Sequence, residues 1–255
     1  MREKIVKALE AEAERRDCRI LFAVESGSRA WGFASPDSDY DVRAVYVRPI
    51  DWYLGLEEGL ADTWSAMLPE AIDIAAWDLR KFLRQFLKSN ASILEWLGSP
   101  IVYADCGLAG ELRGLVDRVF NPAHVAYHYA SMFRHAMEYG TEDGMIGVKK
   151  LCYALRARAA VDWVVRNETM PPTAFASVLE GLPLTAGETK AIGELLAKKA
   201  QADEKECVIP DMRLNGLLAD RYDELNGIRW RKQMPESEGA RSVLEVIFRK
   251  CVKGI

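Results

Sequence analysis

Apolar and polar positions alternate with two different periods along this chain. Residues 3–16 place Ile5, Leu9 and Ala13 on one stripe among Glu, Lys, Ala and Arg, which predicts a helix. Arg19–Val24 and Asp41–Val47 are apolar runs of strand length, the second ending near Pro49. Residues 48–69 are mixed and punctuated by Pro49 and Pro69. Ala71–Ala75 predicts a third strand, and Leu79, Phe82, Leu83 and Phe86 put an amphipathic helix over 77–88. A short helix over Ser92–Leu97 and a fourth strand at Ile101–Tyr103 follow. After about residue 105 strand signals stop. Helical periods cover 107–118, 123–139, 145–166, 173–180, 187–202, 211–225 and 237–252, broken by Pro171, Pro172 and Pro183. The pattern predicts an α/β (α+β) module with a small mixed sheet over 1–104, then an all-α helical module over 105–255.

One spacing within this pattern carries chemistry. Gly27-Ser28 ends the first predicted strand, ten residues follow, and Asp39-Tyr40-Asp41 opens the second. Side chains at i and i+2 of a strand share a face, so Asp39 and Asp41 are expected to project together, away from Tyr40 and Val42. Paired carboxylates are hard oxygen ligands suited to Mg²⁺. A Gly-Ser turn offers backbone N–H groups and a hydroxyl to phosphate oxygens. Arg29, next to that turn, is a natural charge partner for phosphate. Asp73, flanked by Ile72 and Ile74, is expected on the strand face opposite both. Glu70 and Asp78 compete with it as a third acid, and the flanking aliphatics favour Asp73.

Gly-Ser, about ten residues, Asp-x-Asp and a later lone acid on a strand resemble the DNA polymerase β nucleotidyltransferase superfamily. The longer string Glu25-Ser-Gly-Ser-Arg-Ala-Trp-Gly32, with Ser38-Asp-Tyr-Asp41, is similar to its YcgL/RlaP-like branch, predicted nucleotidyltransferases associated with RNA repair. Trp77-Asp-Leu-Arg-Lys81, Leu94–Tyr103 and Lys149–Arg156 extend the resemblance over roughly residues 20–165. It implies two Mg²⁺ ions, with Mn²⁺ as a substitute, on Asp39, Asp41 and Asp73. It also implies an NTP such as ATP held at Gly27, Ser28 and Arg29, and a triphosphate contact from Lys149 or Lys150. The acceptor it implies is an RNA or tRNA 3′ end. A protein hydroxyl (antitoxin-like AMPylation), a small molecule or a non-catalytic binding role are the alternatives within the superfamily.

Composition narrows the rest. The chain has 255 residues, with 34 Lys plus Arg against 38 Asp plus Glu, a formal charge of −4 that argues against broad nonspecific DNA binding. Five scattered cysteines without Cys-x-x-Cys read as reduced thiols, no apolar run reaches the roughly 20 residues of a membrane span, and a cytoplasmic location is expected. His124 and His128 stand at i, i+4 but lack His-Glu-x-x-His and a completing ligand, so core or surface roles are expected. Lys149, Tyr153 and Arg156 fall on one helical face. Trp31 lies in the loop between the motif halves, where it either stacks on a base or anchors the loop. Arg229, Arg231 and Lys232 form a small basic cluster expected to be a solvated loop.

Overall fold

A computed structural model of the protein describes residues 1–56, 61–138, 141–142, 144–201, 206–231 and 237–254. The chain divides by its contacts into two compact units. The first contains Met1–Ala30, Asp39–Phe120 and Met234–Ile255; the second contains Trp31–Ser38 and Asn121–Gln233.

The first unit is built on a five-stranded mixed sheet. In chain order its elements are α1 (Arg2–Arg15), β1 (Arg19–Glu25), α2 (Gly27–Trp31, its last residue assigned to the other unit), β2 (Tyr40–Val47), α3 (Ile50–Leu54), β3 (Thr63–Leu68), β4 (Ile72–Asp78), α4 (Leu79–Leu87), α5 (Ala91–Leu97), β5 (Val102–Asp105), α6 (Leu108–Arg113) and α7 (Val116–Val119). The strand order is β3-β4-β2-β1-β5. β1 is antiparallel to both β2 and β5, β2 is parallel to β4, and β3 is antiparallel to β4. One face of the sheet packs Ala23, Val42, Ala44, Tyr46, Ile72, Ile74 and Ala76 against Ile5 and Leu9, the predicted stripe of α1. That burial is why alternate residues of β2 and β4 are apolar and why Asp41 and Asp73 face the other way. Towards that other face, Trp77 meets Trp96 of α5 edge-on, and Phe82 of α4 stacks on Trp96. The C-terminal helix, Ser237–Lys253, packs on α4 and α7.

The second unit is helical at its centre. α8 (Pro122–Glu138) packs along α9 (Val148–Asn167), with α10 (Phe175–Glu180) and α11 (Ala186–Lys199) against α9. α9 is buried on most of its circumference: Leu151, Cys152, Ala154, Leu155, Ala157, Ala159, Ala160, Val161 and Val164 are all shielded. Arg156 and Arg158 are buried among them, so α9 is shielded as a core helix even where its sequence is charged. β6 (Thr141–Glu142), β7 (Met145–Gly147) and β8 (Cys207–Val208) form a three-stranded ribbon. The C-terminal helix of the first unit completes the numbering as α12.

The predicted α/β architecture with helices following the sheet is the observed one. Several elements differ from expectation. β3 falls in the stretch read as mixed. It is an edge strand whose residues alternate between exposed and half-buried, with Met67 in the open, so it lacks an apolar run. β4 starts at Ile72 because Glu70 and Ala71 both sit at positive φ, 65° and 56°, which turns the chain before pairing begins. The span 107–118 is two short helices, α6 and α7. The span 211–225 is two 3₁₀ turns, Met212–Leu214 and Asp223–Gly227. Asp211 there accepts a bond from the Arg213 N–H, and such local capping competes with a continued helix. β6, β7 and β8 have two or three residues each, too few for a period to register. A break after residue 104 would cut β5, which pairs with β1 through Asp105 and Phe22; the division by contacts instead follows Phe120. Residues 139 and 202, at predicted helix ends, and Lys232 lie outside the described residues.

Asp78 ties the end of β4 to its surroundings. Its carboxylate accepts from the Arg80 N–H at 2.8 Å, capping α4, and from the Tyr53 hydroxyl at 2.6 Å. Burial is the largest influence on its pKa and holds it above the ordinary 3.8. Replacing Asp78 by Ala removes the cap and strands the Tyr53 hydroxyl, an expected loss of about 2–3 kcal/mol in urea unfolding. A raised carboxyl pKa adds stability at low pH that disappears as pH rises through it. Wild type should therefore gain on Asp78→Asn as pH falls towards 4, read as the difference in urea midpoints.

Candidate active site

β1 runs apolar and buried from Leu21 to Val24 and ends in Glu25. The chain then turns at Gly27, which adopts φ +60° and opens the short helix α2. A Cβ on Gly27 would overlap Oδ2 of Asp41. Only glycine combines that backbone conformation with so close an approach. Ser28 follows, buried at 4% exposure. The predicted Gly-Ser bend and the Asp-x-Asp strand thus meet, with the bend lying directly on Asp41.

β2 and β4 run parallel with Asp41 opposite Asp73 in the register. Residues paired across adjacent strands project on one side, so the two carboxylates share the face opposite the Ile72–Ile74 core. Both are partly open to solvent, at 26% and 31% side-chain exposure. Arg43, two residues after Asp41 on the same face, reaches both. Its Nη2 donates to Asp41 Oδ1 at 3.0 Å, and its Nη1 donates to Asp73 Oδ2 at 3.1 Å. Nη1 also donates to the backbone carbonyls of Asp73 and Val42. A cation therefore already sits between the two acids, held by the chain itself.

The third acid, Asp39, is exposed just ahead of β2. Its backbone carbonyl accepts from Arg29 Nε at 3.0 Å, and the Arg29 guanidinium lies 3.8 Å from the centre of the Tyr40 ring. Among the described residues no three His, Cys, Asp or Glu side chains stand together as a ready metal cage. That is compatible with Mg²⁺ chemistry, because Mg²⁺ keeps waters and is bound by one or two carboxylates plus substrate phosphates. The paired carboxylates, with the Gly27 bend close against Asp41, are a donor set that fits a divalent ion beside a phosphate chain, and the Arg43 guanidinium is the cation such an ion would displace. Of the competing acids, Glu70 pairs with Lys4 at 2.7 Å and Asp78 caps α4, which leaves Asp73 as the acid brought to Asp41.

Behind this face the chain is held by a group the sequence reading gave no role. Glu25 is 1% exposed. It pairs with Val42 across β1 and β2, which puts it on the α1-covered side of the sheet. Its Oε1 accepts the Asp41 backbone N–H at 2.7 Å and its Oε2 accepts the Tyr103 hydroxyl. Its main chain is pinned too: N–H to Ile101 at 2.9 Å, carbonyl to the Ser99 hydroxyl at 2.6 Å. Burial is the main cause that raises the Glu25 pKa, and burial together with the Glu25 carboxylate raises that of Tyr103. An acid closing an otherwise apolar strand was the visible signal for Glu25. For Arg43 the signal was strand alternation from Asp41.

The remaining predicted residues lie in the second unit. Lys149 and Lys150 occupy the first turn of α9. Trp31 is 7% exposed and packs against Phe33 and edge-on against Tyr153, with the Arg156 guanidinium 4.5 Å from its ring centre. Of its two readings, loop anchor is the one observed. Lys199, buried in α11, donates to Ser35 Oγ at 2.8 Å in the same loop. His128 lies edge-on to Tyr129. Arg231 binds Glu168 and the Arg166 carbonyl, so it is not simply solvated.

Comparison with known proteins identifies the family of the chain. The chain is 38% identical over 206 residues to "Uncharacterized protein YcgL" of Bacillus subtilis (strain 168), covering 80% of this chain and 78% of that protein. Residues 1–245 match the family described as "RlaP: RNA repair pathway DNA polymerase beta family". With its Gly-Ser bend seated on paired carboxylates, the chain belongs to the RlaP family.

Proposed function

We propose that the protein is a Mg²⁺-dependent nucleotidyltransferase that moves a nucleoside monophosphate from an NTP to a hydroxyl of an RNA acceptor, a 3′ end such as that of a tRNA. One observation carries the reading. Asp41 and Asp73 lie side by side on parallel strands, a cationic group bridges them, and the Gly27-Ser28 bend rests against Asp41. Family membership supports both the reaction class and the RNA context.

Asp41 and Asp73 would hold the divalent ion, with Asp39 as the third carboxylate supplied from the start of β2. The ion, when bound, neutralises triphosphate charge and lowers the pKa of an attacking oxygen. Gly27 and Ser28 would offer backbone N–H groups to the phosphate chain, and Gly27 keeps the bend close enough to Asp41 for one phosphate to meet both. Arg29 would add charge at the same bend. In the transfer, the acceptor oxygen bonds to the α-phosphorus, the bond to the bridging oxygen breaks, and pyrophosphate leaves with that electron pair. The acceptor proton passes to a carboxylate of the site or to water. The protein's share is positioning and charge placement. In the second unit, the first turn of α9 with Lys149 and Lys150 is the proposed phosphate contact.

The test is incubation of the full chain with each of four α-labelled NTPs, Mg²⁺ and total cellular RNA. Label should enter RNA, and Asp41→Asn with Asp73→Asn should reduce it by at least roughly 100-fold. Undiminished labelling by the double variant, or label entering protein only, overturns the reading.

Arg43 gives a second expectation. A guanidinium between the acids opposes a divalent ion at the same place. Arg43→Gln should bind Mn²⁺ on the order of tenfold tighter in the nucleotide-free protein, a difference of about 1.4 kcal/mol. Paramagnetic resonance of free Mn²⁺ in a titration reads this directly.

A further inference from the structure

Resting on the metal-site reading above, we infer that Glu25 is a positioning residue for that site: from the opposite face of the sheet it fixes the backbone of Asp41, and with it the carboxylate that meets the ion. Glu25 neither points to the carboxylate face nor is open to solvent. Its Oε1 takes the Asp41 N–H at 2.7 Å. β2 has no residue before Tyr40, so Asp41 is only its second residue. The regular β1–β2 pairing ends with Glu25 opposite Val42, one residue past Asp41. Beyond that pair, Ser26 N–H reaches the Asp41 carbonyl at 2.8 Å. Asp41 therefore has its carbonyl held by the residue after Glu25 and its N–H held by Glu25 itself. A strand end secured at both backbone groups does not fray, and the direction of its side chain is set.

The same residue also governs the bend. Glu25 directly precedes Ser26-Gly27, and its main chain is fixed by Ile101 and Ser99. A fixed Glu25 main chain launches the bend, and a fixed Glu25 side chain places Asp41 beneath it. The clearance between Gly27 and Asp41 Oδ2, too small for a Cβ, depends on both. Tyr103 holds the far oxygen of the carboxylate, which leaves Oε1 aimed at one donor. Outer-shell partners of metal ligands typically cost 10–100-fold in metal affinity when removed.

Reach and charge separate in two conservative variants. Glu25→Asp keeps the charge and draws the carboxylate back by one methylene, away from the Asp41 N–H. Glu25→Gln loses the charge and keeps an oxygen at that N–H, with its amide able to donate to Tyr103. Tyr103→Phe weakens the same buried network at its far end and leaves the Asp41 bond in place. Calorimetric titration of each full-length protein with Mn²⁺-tripolyphosphate is the readout, with the Asp41→Asn protein as background and urea midpoints recorded alongside. Glu25→Asp should bind roughly 10- to 100-fold more weakly, while Glu25→Gln and Tyr103→Phe stay within about threefold of wild type. Loss in Glu25→Gln with retention in Glu25→Asp overturns the inference in favour of charge. Equal loss in Tyr103→Phe overturns it in favour of general loosening. Wild-type affinity in all three overturns it outright. Should Glu25→Asp fail to fold, Glu25→Leu, which keeps the bulk but offers no oxygen to the Asp41 N–H, takes its place with the same expected loss and the same overturning result. If wild type binds no better than Asp41→Asn, the metal site itself falls; if wild type binds and Glu25→Asp is unaffected, only the role of Glu25 falls.

Discussion

Two carboxyl groups opposite each other on neighbouring strands are a standing electrostatic constraint, and this site is arranged around it. Adjacent strands lie about 5 Å apart. At that separation two like charges repel by roughly 3 kcal/mol at an effective dielectric of about 20. The parallel register of β2 and β4 enforces the meeting of Asp41 and Asp73, because shifting it by one residue would turn the Ile72–Ile74 core face outward. The hydrophobic core thus holds together two groups that would otherwise separate. Arg43 offsets the repulsion with a bidentate bridge, and a guanidinium suits two carboxylates better than a lysine ammonium would. The bridge lets the two acids stay side by side with no ion between them.

The same constraint explains why the recognisable string is longer than its paired acids. Gly27 must be glycine for two reasons at once, its positive φ and the Oδ2 atom beside it. Glu25 must reach through the sheet to the Asp41 amide while its neighbours Leu21–Val24 stay apolar. Arg43 must alternate with Asp41. Each is a packing or hydrogen-bonding requirement of one small region. Read together as Glu25, Gly27, Asp41 and Arg43, they describe a site whose supporting groups outnumber the groups that would touch substrate.

What was legible in the chain follows from period and run length. β1, β2, β4, α1 and α4 have buried faces long enough for their alternation or 3.6-residue stripe to register, and these elements build the site. The direction of Asp73 was legible because isoleucines flank it. β3 was not, since an edge strand with one half-buried face has no apolar run. The turns after Asp211 were not, since Leu214 and Leu217 imitate a helical stripe that local capping and Gly216 interrupt. Within the site, sequence reading found the acids that face solvent and missed the groups that work by contact. Glu25 looks like an ordinary strand end until its two partners, 16 and 78 residues away, are in place. No local pattern encodes bonds of that range.

The loop between the motif halves has a different physical logic. Ten residues joining Ser28 to Asp39 would ordinarily be a surface connection, yet Trp31, Phe33, Ser35 and Ser38 are all buried. Trp31 and Phe33 pack on Tyr153, Phe33 on Phe175, and Lys199 bonds the Ser35 hydroxyl, all within the helical unit. Large aromatic side chains dominate the energetics of a small core. The loop is therefore part of that unit's interior, and its length and composition answer to packing there. This accounts for a tryptophan and a phenylalanine two residues apart in a segment where turn chemistry alone would call for polar residues. Tyr153 and Arg156, which hold Trp31, share one face of α9 with Lys149 one turn earlier. The segment between the Gly-Ser bend and the Asp-x-Asp strand is thereby packed as part of the second unit.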